Sequence, residues 1–213
     1  MTANRVSPAV ANMSLGGGVS TALDTAVRHS IAAGVTYAIA AGNSNANAAN
    51  SSPARVAEAI TVGATTMTDA RSSFSNFGSV RGHLRARFER SLSAWRTSDT
   101  ATNTISGTSM ATPHVAGVAA RFLQNNTRAS PATVRAELVN QATLNHLTGI
   151  PSGTANRLLF WSSTRSQRRV ERRPPRTQRR IRWESLRALP SSAFNVVLSA
   201  ASEAVAKRAG SRR

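Results

Sequence analysis

An α/β fold, a parallel sheet with helices on both faces, is what the sequence predicts, and three observations carry it. Two apolar runs of strand length, residues 10–15 and 35–41, flank a segment whose apolar residues recur at helical spacing. Each run ends in a glycine-bearing turn, at Gly16 and at Gly42. Further on, Gly107-Thr108-Ser109 leads into a long apolar helix through Val115, Val118, Ala119, Phe122 and Leu123.

In chain order, residues 10–15 form the first strand. Ser20 is placed to cap a helix whose apolar positions are Leu23, Ala26, Val27 and Ile31, and Gly34 closes it. The near-continuous apolarity of residues 35–41 suits a parallel strand buried on both faces. Such a strand–helix–strand unit takes a right-handed crossover, so the Gly16 and Gly42 turns fall at neighbouring carboxyl ends. In open α/β sheets that edge is where ligands bind. Residues 43–53 are rich in Asn, Ala and Ser and read as a surface loop, and residues 59–64 as another short strand. Ser130-Pro131 opens a second helix through Val134, Leu138 and Val139, with proline at the first helical position.

Ser109 stands where backbone N–H groups are unpaired and the helix dipole is positive, a setting that suits a nucleophile whose attack creates an oxyanion. Pro113 is expected to cost little so near the helix start. Alone, these residues describe an N-capped core helix equally well. The unbroken string Gly107-Thr108-Ser109-Met110-Ala111-Thr112-Pro113-His114-Val115-Ala116-Gly117 says more. It resembles the nucleophile motif of subtilisin-like serine proteases (subtilases), most closely their proteinase K-like branch. Asn12-Met13-Ser14-Leu15-Gly16-Gly17-Gly18, Ala40-Ala41-Gly42-Asn43, Ser72-Ser73-Phe74-Ser75-Asn76-Phe77-Gly78-Ser79 and Asn156-Arg157-Leu158-Leu159-Phe160 extend the likeness in order. It covers residues 1–79 and 93–160 and implies a subtilisin-like fold, truncated on its N-terminal side.

The resemblance implies that Ser109 is the acylating nucleophile and that Asn43 donates its side-chain amide to the oxyanion beside the Ser109 N–H. It implies that Ser14-Leu15-Gly16 and Ala40-Ala41-Gly42 flank the primary specificity pocket, the first binding a peptide or protein substrate as an added strand. A serine hydroxyl needs a base, and the base an orienting carboxylate. In the family both lie upstream in the order Asp, His, Ser, and neither motif stands before Ser14 here. His114 is five residues from Ser109 on the same helix, about 140° around it, and His29, His83 and His146 stand in no matching context. The chain is therefore expected to be inactive alone. No cofactor is implied. The family's structural Ca²⁺ site uses carbonyls near the positions of Ala57 and Ala59 plus an aspartate from the stretch aligned with residues 80–92, and is expected to be lost.

Residues 80–92, Val-Arg-Gly-His-Leu-Arg-Ala-Arg-Phe-Glu-Arg-Ser-Leu, are basic and without a convincing period. Where the family has a buried strand close to Cys-Val-Asp-Ile-Phe-Ala-Pro-Gly-Ser-Asn, codons can be written for residues 80–90 that encode that decapeptide when read one base later. A shifted reading frame, restored near Ser93, is the expectation. Losing the strand would leave apolar sheet surface uncovered.

Charge is segregated. The formal net charge of +18 comes largely from residues 80–96 and from residues 161–213, where 14 basic residues face three acids. The protease-like part is near neutral, which excludes a whole-protein electrostatic case for nucleic acid. Residues 161–213 read as an Arg-rich disordered tail. There is no cysteine, so no disulfide framework or thiolate metal site. No apolar stretch has the length of a membrane span and no signal peptide is visible; since the family is secreted, truncation is the expectation. The reading is thus a fragment of a secreted serine endopeptidase of open oligomeric state. Its alternatives are a non-catalytic peptide-binding pseudoprotease and a nucleic-acid-binding tail protein.

Overall fold

The computed structural model describes residues 6–80, 82–87 and 91–162. The expectations for the basic tail beyond residue 162, and for residues 81 and 88–90 of the anomalous block, lie outside these.

The elements run β1 (Ala9–Met13), α1 (Thr21–Ala32), β2 (Val35–Ala40), a 3₁₀ turn (Ala48–Asn50), β3 (Ile60–Thr65), β4 (Leu84–Arg87), β5 (Ser91–Ala94), β6 (Thr102–Ile105), α2 (Thr108–Asn125), α3 (Pro131–Gln141), β7 (Thr143–Leu144) and β8 (Arg157–Leu158). Six strands form one sheet in the order β1-β2-β3-β4-β8-β7, parallel except for the short β7–β8 pair. β5 and β6 form a separate antiparallel ribbon.

Side-chain alternation along β2 explains the layering. Val35, Tyr37 and Ile39 pack with Val27 and Ile31 of α1 on one face. Ala38 turns to the other, joining Ile60, Val62 and Ala64 of β3 against Val115, Ala119 and Leu123 of α2 and Val134 and Leu138 of α3. Helices thus cover both faces, as expected. The caps also stand as read: Ser20 Oγ accepts from Leu23 N at 3.3 Å and Ser130 Oγ from Thr133 N at 3.2 Å. Gly34 has φ +100.

Two expectations are corrected. Residues 43–53 are not wholly a surface loop: Ala48 is fully buried with Ala41 and Ala54. Nor is the sheet left uncovered at residues 80–92. Leu84 and Ala86, two residues apart, supply an apolar face of strand period, so β4 pairs along β3 from Val62↔Leu84 to Thr65↔Arg87. The physical difficulty lies on the opposite face. His83 and Arg85 are both 0% exposed there, and among the described residues His83 Nε2, Arg85 Nε and Arg85 Nη2 have no hydrogen-bond partner. Arg85 Nη1 donates to Ser75 Oγ at 3.3 Å. The leucine and alanine rescue the strand; the histidine and arginine burden it.

Candidate active site

Because β1 and β2 are parallel and in register from Ala9↔Val35 to Met13↔Ile39, residues 14–16 and 41–43 emerge side by side. The N-terminal turn of α2 arrives at the same corner. Ser109, second residue of α2 and half-buried, donates its hydroxyl to the Ser14 carbonyl at 3.2 Å. Ser14 Oγ donates in return to the Ser109 carbonyl at 2.8 Å, and receives a hydrogen bond from Asn12 Nδ2 at 3.1 Å.

Pro113 makes this exchange possible. It lies inside α2 rather than in its first turn, so the reason for its low cost is not the one expected from sequence. Lacking an N–H, it cannot bond the carbonyl four residues back, which is that of Ser109. Ser14 Oγ fills the vacancy.

Asn43 is exposed, and its Oδ1 accepts from the Thr108 backbone N–H at 2.8 Å and from Thr108 Oγ1 at 2.9 Å. A backbone N–H can only donate, so the atom facing it is oxygen and the amide NH₂ is turned to the other side. Gly107 lies beside it: a Cβ there would stand 3.5 Å from Asn43 Nδ2, an ordinary contact. The Ser109 N–H, in the first turn of α2, has no intrahelical acceptor. Two donors are thus carried beside one hydroxyl.

Ala40 and Ala41 are buried, and Ala41 N continues the sheet to Val62 O at 2.9 Å. Leu15 is half-buried and Gly16 exposed. Gly42 adopts φ +104, and a Cβ on it would collide with the Asn76 side-chain amide. Two residues that sequence reasoning did not single out hold this turn. Asn76 donates Nδ2 to Ala41 O at 2.8 Å, while its Oδ1 accepts from Ser44 N and Ala46 N, both at 3.0 Å. Thr108 Oγ1 accepts from Gly42 N at 3.2 Å. Both lie inside quoted motif strings, so the signal was present; only their roles required coordinates.

The four histidines are elsewhere. His29 is on α1, and His146 Nε2 lies 3.0 Å from Asp69 Oδ2. Burial and the adjacent Arg85 lower His83 to about 3. Burial lowers His114, on α2, to about 4. Among the described residues, no histidine bonds to Ser109.

The residues present do not fit calcium. Ca²⁺ takes several oxygen ligands, carboxylates among them. Here Ala57 O accepts from Arg135 Nη1 at 2.6 Å, and Gly82, bringing no carboxylate, faces Ala59 O. Among the described residues no cluster of three metal-ligating side chains exists.

Comparison with known proteins bears on the family and the fold. The sequence profile of the subtilase family matches residues 3–174. An extracellular serine proteinase of Thermus sp. (strain Rt41A) is 57% identical over 160 residues, 75% of this chain and 39% of that protein. Alkaline serine exoprotease A of Vibrio alginolyticus is 54% identical over 160 residues, 75% of this chain and 29% of that protein. The crystal structure of a cold adapted subtilisin-like serine proteinase matches with a TM-score of 0.71 at 52% identity, covering 75% of this chain and 57% of that one. The chain therefore spans well under half the length of the two curated relatives. No helix among the described residues is long and apolar enough to cross a membrane.

Proposed function

The chain belongs to the subtilase family, and on that premise we propose that it carries the nucleophile half of a secreted serine endopeptidase that cleaves peptide bonds through an acyl-enzyme. One observation carries the reading: the Ser109 hydroxyl, the Asn43 amide and the strand end at Ser14 converge where β1, β2 and α2 meet. An extended peptide laid along residues 14–16 would donate a backbone N–H to the Ser14 carbonyl and so displace the Ser109 hydroxyl from it. With a base supplied from outside the described residues to take its proton, the freed hydroxyl would attack the substrate carbonyl, and the scissile C–N bond would break as that base returns the proton to the leaving amine. Between those two steps the Asn43 amide and Ser109 N–H would receive the oxyanion, stronger donors to that charge than to the ground-state carbonyl. In subtilisin, losing such a side-chain donor costs about 10²–10³ in rate, a value measured there and not in this chain.

Among the described residues no general base stands against the Ser109 hydroxyl. Ser109 Oγ donates to a carbonyl, which cannot take its proton, and among the described residues no histidine is its partner: His29 is exposed on α1, His146 pairs with Asp69, His83 is buried behind β4 and His114 is half-buried on α2. The chain alone is expected to reach no more than about 10³–10⁴ over water, the residue left by oxyanion stabilisation and binding. A fluorophosphonate probe tests this directly, with Ser109→Ala as the control. Slow labelling confined to the parent chain is expected. Labelling at the rate of an active serine protease would refute the missing base, and labelling undiminished in Ser109→Ala would refute the nucleophile.

A second reading, a peptide-binding pseudoprotease, is favoured by the half-exposed strand end at Ser14, Leu15 and Gly16. It requires saturable binding of an extended peptide, lost when Gly16→Pro removes a backbone donor.

A further inference from the structure

The Arg135 contact joins three elements that are distant in sequence. Its Nη1 donates to Ala57 O at 2.6 Å, tying α3 to the turn that enters β3. Gly82, at φ +69 on the approach to β4, lies beneath the side-chain stem. A Cβ at Gly82 would stand 2.7 Å from Arg135 Cδ and 3.0 Å from Ala59 O. The Ala57 carbonyl thus already holds a positive charge on a covalent tether, whose stem passes over the start of β4 at Gly82, beside Ala59 O. The acids adjacent in sequence are turned elsewhere: Glu58 Oε2 is 3.4 Å from Arg28 Nε, and Glu137 Oε1 accepts from Gln141 Nε2 at 2.6 Å.

We propose that the Arg135 guanidinium is this chain's built-in replacement for a divalent cation at the 57–59 turn, so that the fold neither binds Ca²⁺ there nor depends on it. A dication at the Ala57 oxygen would have to displace the guanidinium or stand against it, while the carboxylate of the turn itself, Glu58, is turned to Arg28. The fixed cation costs no ligand-binding entropy, and its stem covers the glycine that a carboxylate-bearing residue would otherwise replace. Neither conclusion depends on whether Ser109 is reactive.

The test is thermal unfolding of the full chain in EDTA and in millimolar calcium chloride, alongside calorimetric titration with calcium chloride. No shift of Tm between the two buffers and no saturable heat are expected. A Tm several degrees higher in calcium would overturn the proposal, and this arm needs no variant. Arg135→Met, which keeps the stem and loses the charge, should lower Tm by several degrees, and Arg135→Lys should restore part of the loss. Arg135→Met matching the parent would show that the charge fills no site. In Gly82→Asp combined with Arg135→Met, calcium should raise Tm; indifference to calcium there would show that the turn is not a cation site.

Discussion

The corner where β1, β2 and α2 meet and the face of β4 that carries His83 and Arg85 both put polar groups into a packed sheet, with opposite results. At the corner, Ser14 and Ser109 exchange hydroxyls and carbonyls, Thr108 serves Asn43 and Gly42, and Asn76 uses both ends of its amide. One buried atom there, Asn12 Oδ1, is left unmet. Behind β4, among the described residues, a fully buried guanidinium has one side-chain hydrogen bond, to Ser75, two bare nitrogens and a neighbouring imidazole with a bare nitrogen of its own. Buried polarity is inexpensive only when each donor finds an acceptor. The corner pairs almost all of its polar atoms, whereas β4 has one face of adequate apolar spacing and another whose buried polar atoms go unmet among the described residues.

The largest expected effect breaks the corner. Gly42→Val forces a β-branched residue into φ +104 and into the Asn76 amide, and should lower the unfolding free energy by about 3 kcal/mol or more in urea. A loss below about 1 kcal/mol would mean that Asn76 yields and the corner is soft. Next, Arg85→Met removes the buried charge while keeping volume and should stabilise by about 1–4 kcal/mol. If the urea midpoint falls instead, the guanidinium is better served than its bare nitrogens indicate.

Acid sharpens the comparison further. His83 and His114 are lowered to about 3 and about 4 in the folded chain, chiefly by burial, against 6.5 for an unperturbed imidazole. Below about pH 6.5 the unfolded chain therefore takes up protons that the folded chain refuses. Their contribution is fully present above that pH and is lost progressively as acidity passes towards pH 4 for His114 and pH 3 for His83. His83→Ile should flatten the fall of the urea midpoint between pH 7 and pH 5; an unchanged slope would place the imidazole in water. The smallest effect belongs to Ser109→Ala. It removes one half-exposed hydrogen bond and should change stability by less than about 1 kcal/mol. Probe labelling would disappear all the same, separating what the serine does for chemistry from what it does for folding.

Legibility in the sequence followed the same division. α1, β2 and α3 were readable because their signals are local: Ser20 and Ser130 as caps, Gly34 with its positive φ, and the apolar run that became β2. The site residues Ser14, Asn43 and Ser109 were readable as motif strings, but their hydrogen bonds span gaps of 65 and 95 residues that no periodicity carries. β4 was missed because a four-residue strand of alternating Leu and Arg, Ala and Arg resembles a charged loop unless β3 is known to lie alongside. The ribbon of β5 and β6 carries no strong local signal, with Leu92 largely exposed.

The gap left by Pro113 also bears on when the serine becomes a site at all. In a free α2 the Ser109 carbonyl has no acceptor role within the helix, because the residue that would donate to it carries no hydrogen. Its protein donor is Ser14 Oγ, 95 residues earlier and on another element. The rotation of the first turn of α2, and with it the direction of the Ser109 hydroxyl, is therefore set by docking on β1 rather than by helix formation. The orientation of the Ser109 hydroxyl is a tertiary property, acquired only after the chain between the two segments has brought them together. A chain with intact helices but an undocked α2 would register as folded by its far-ultraviolet circular dichroism and would still present no oriented serine.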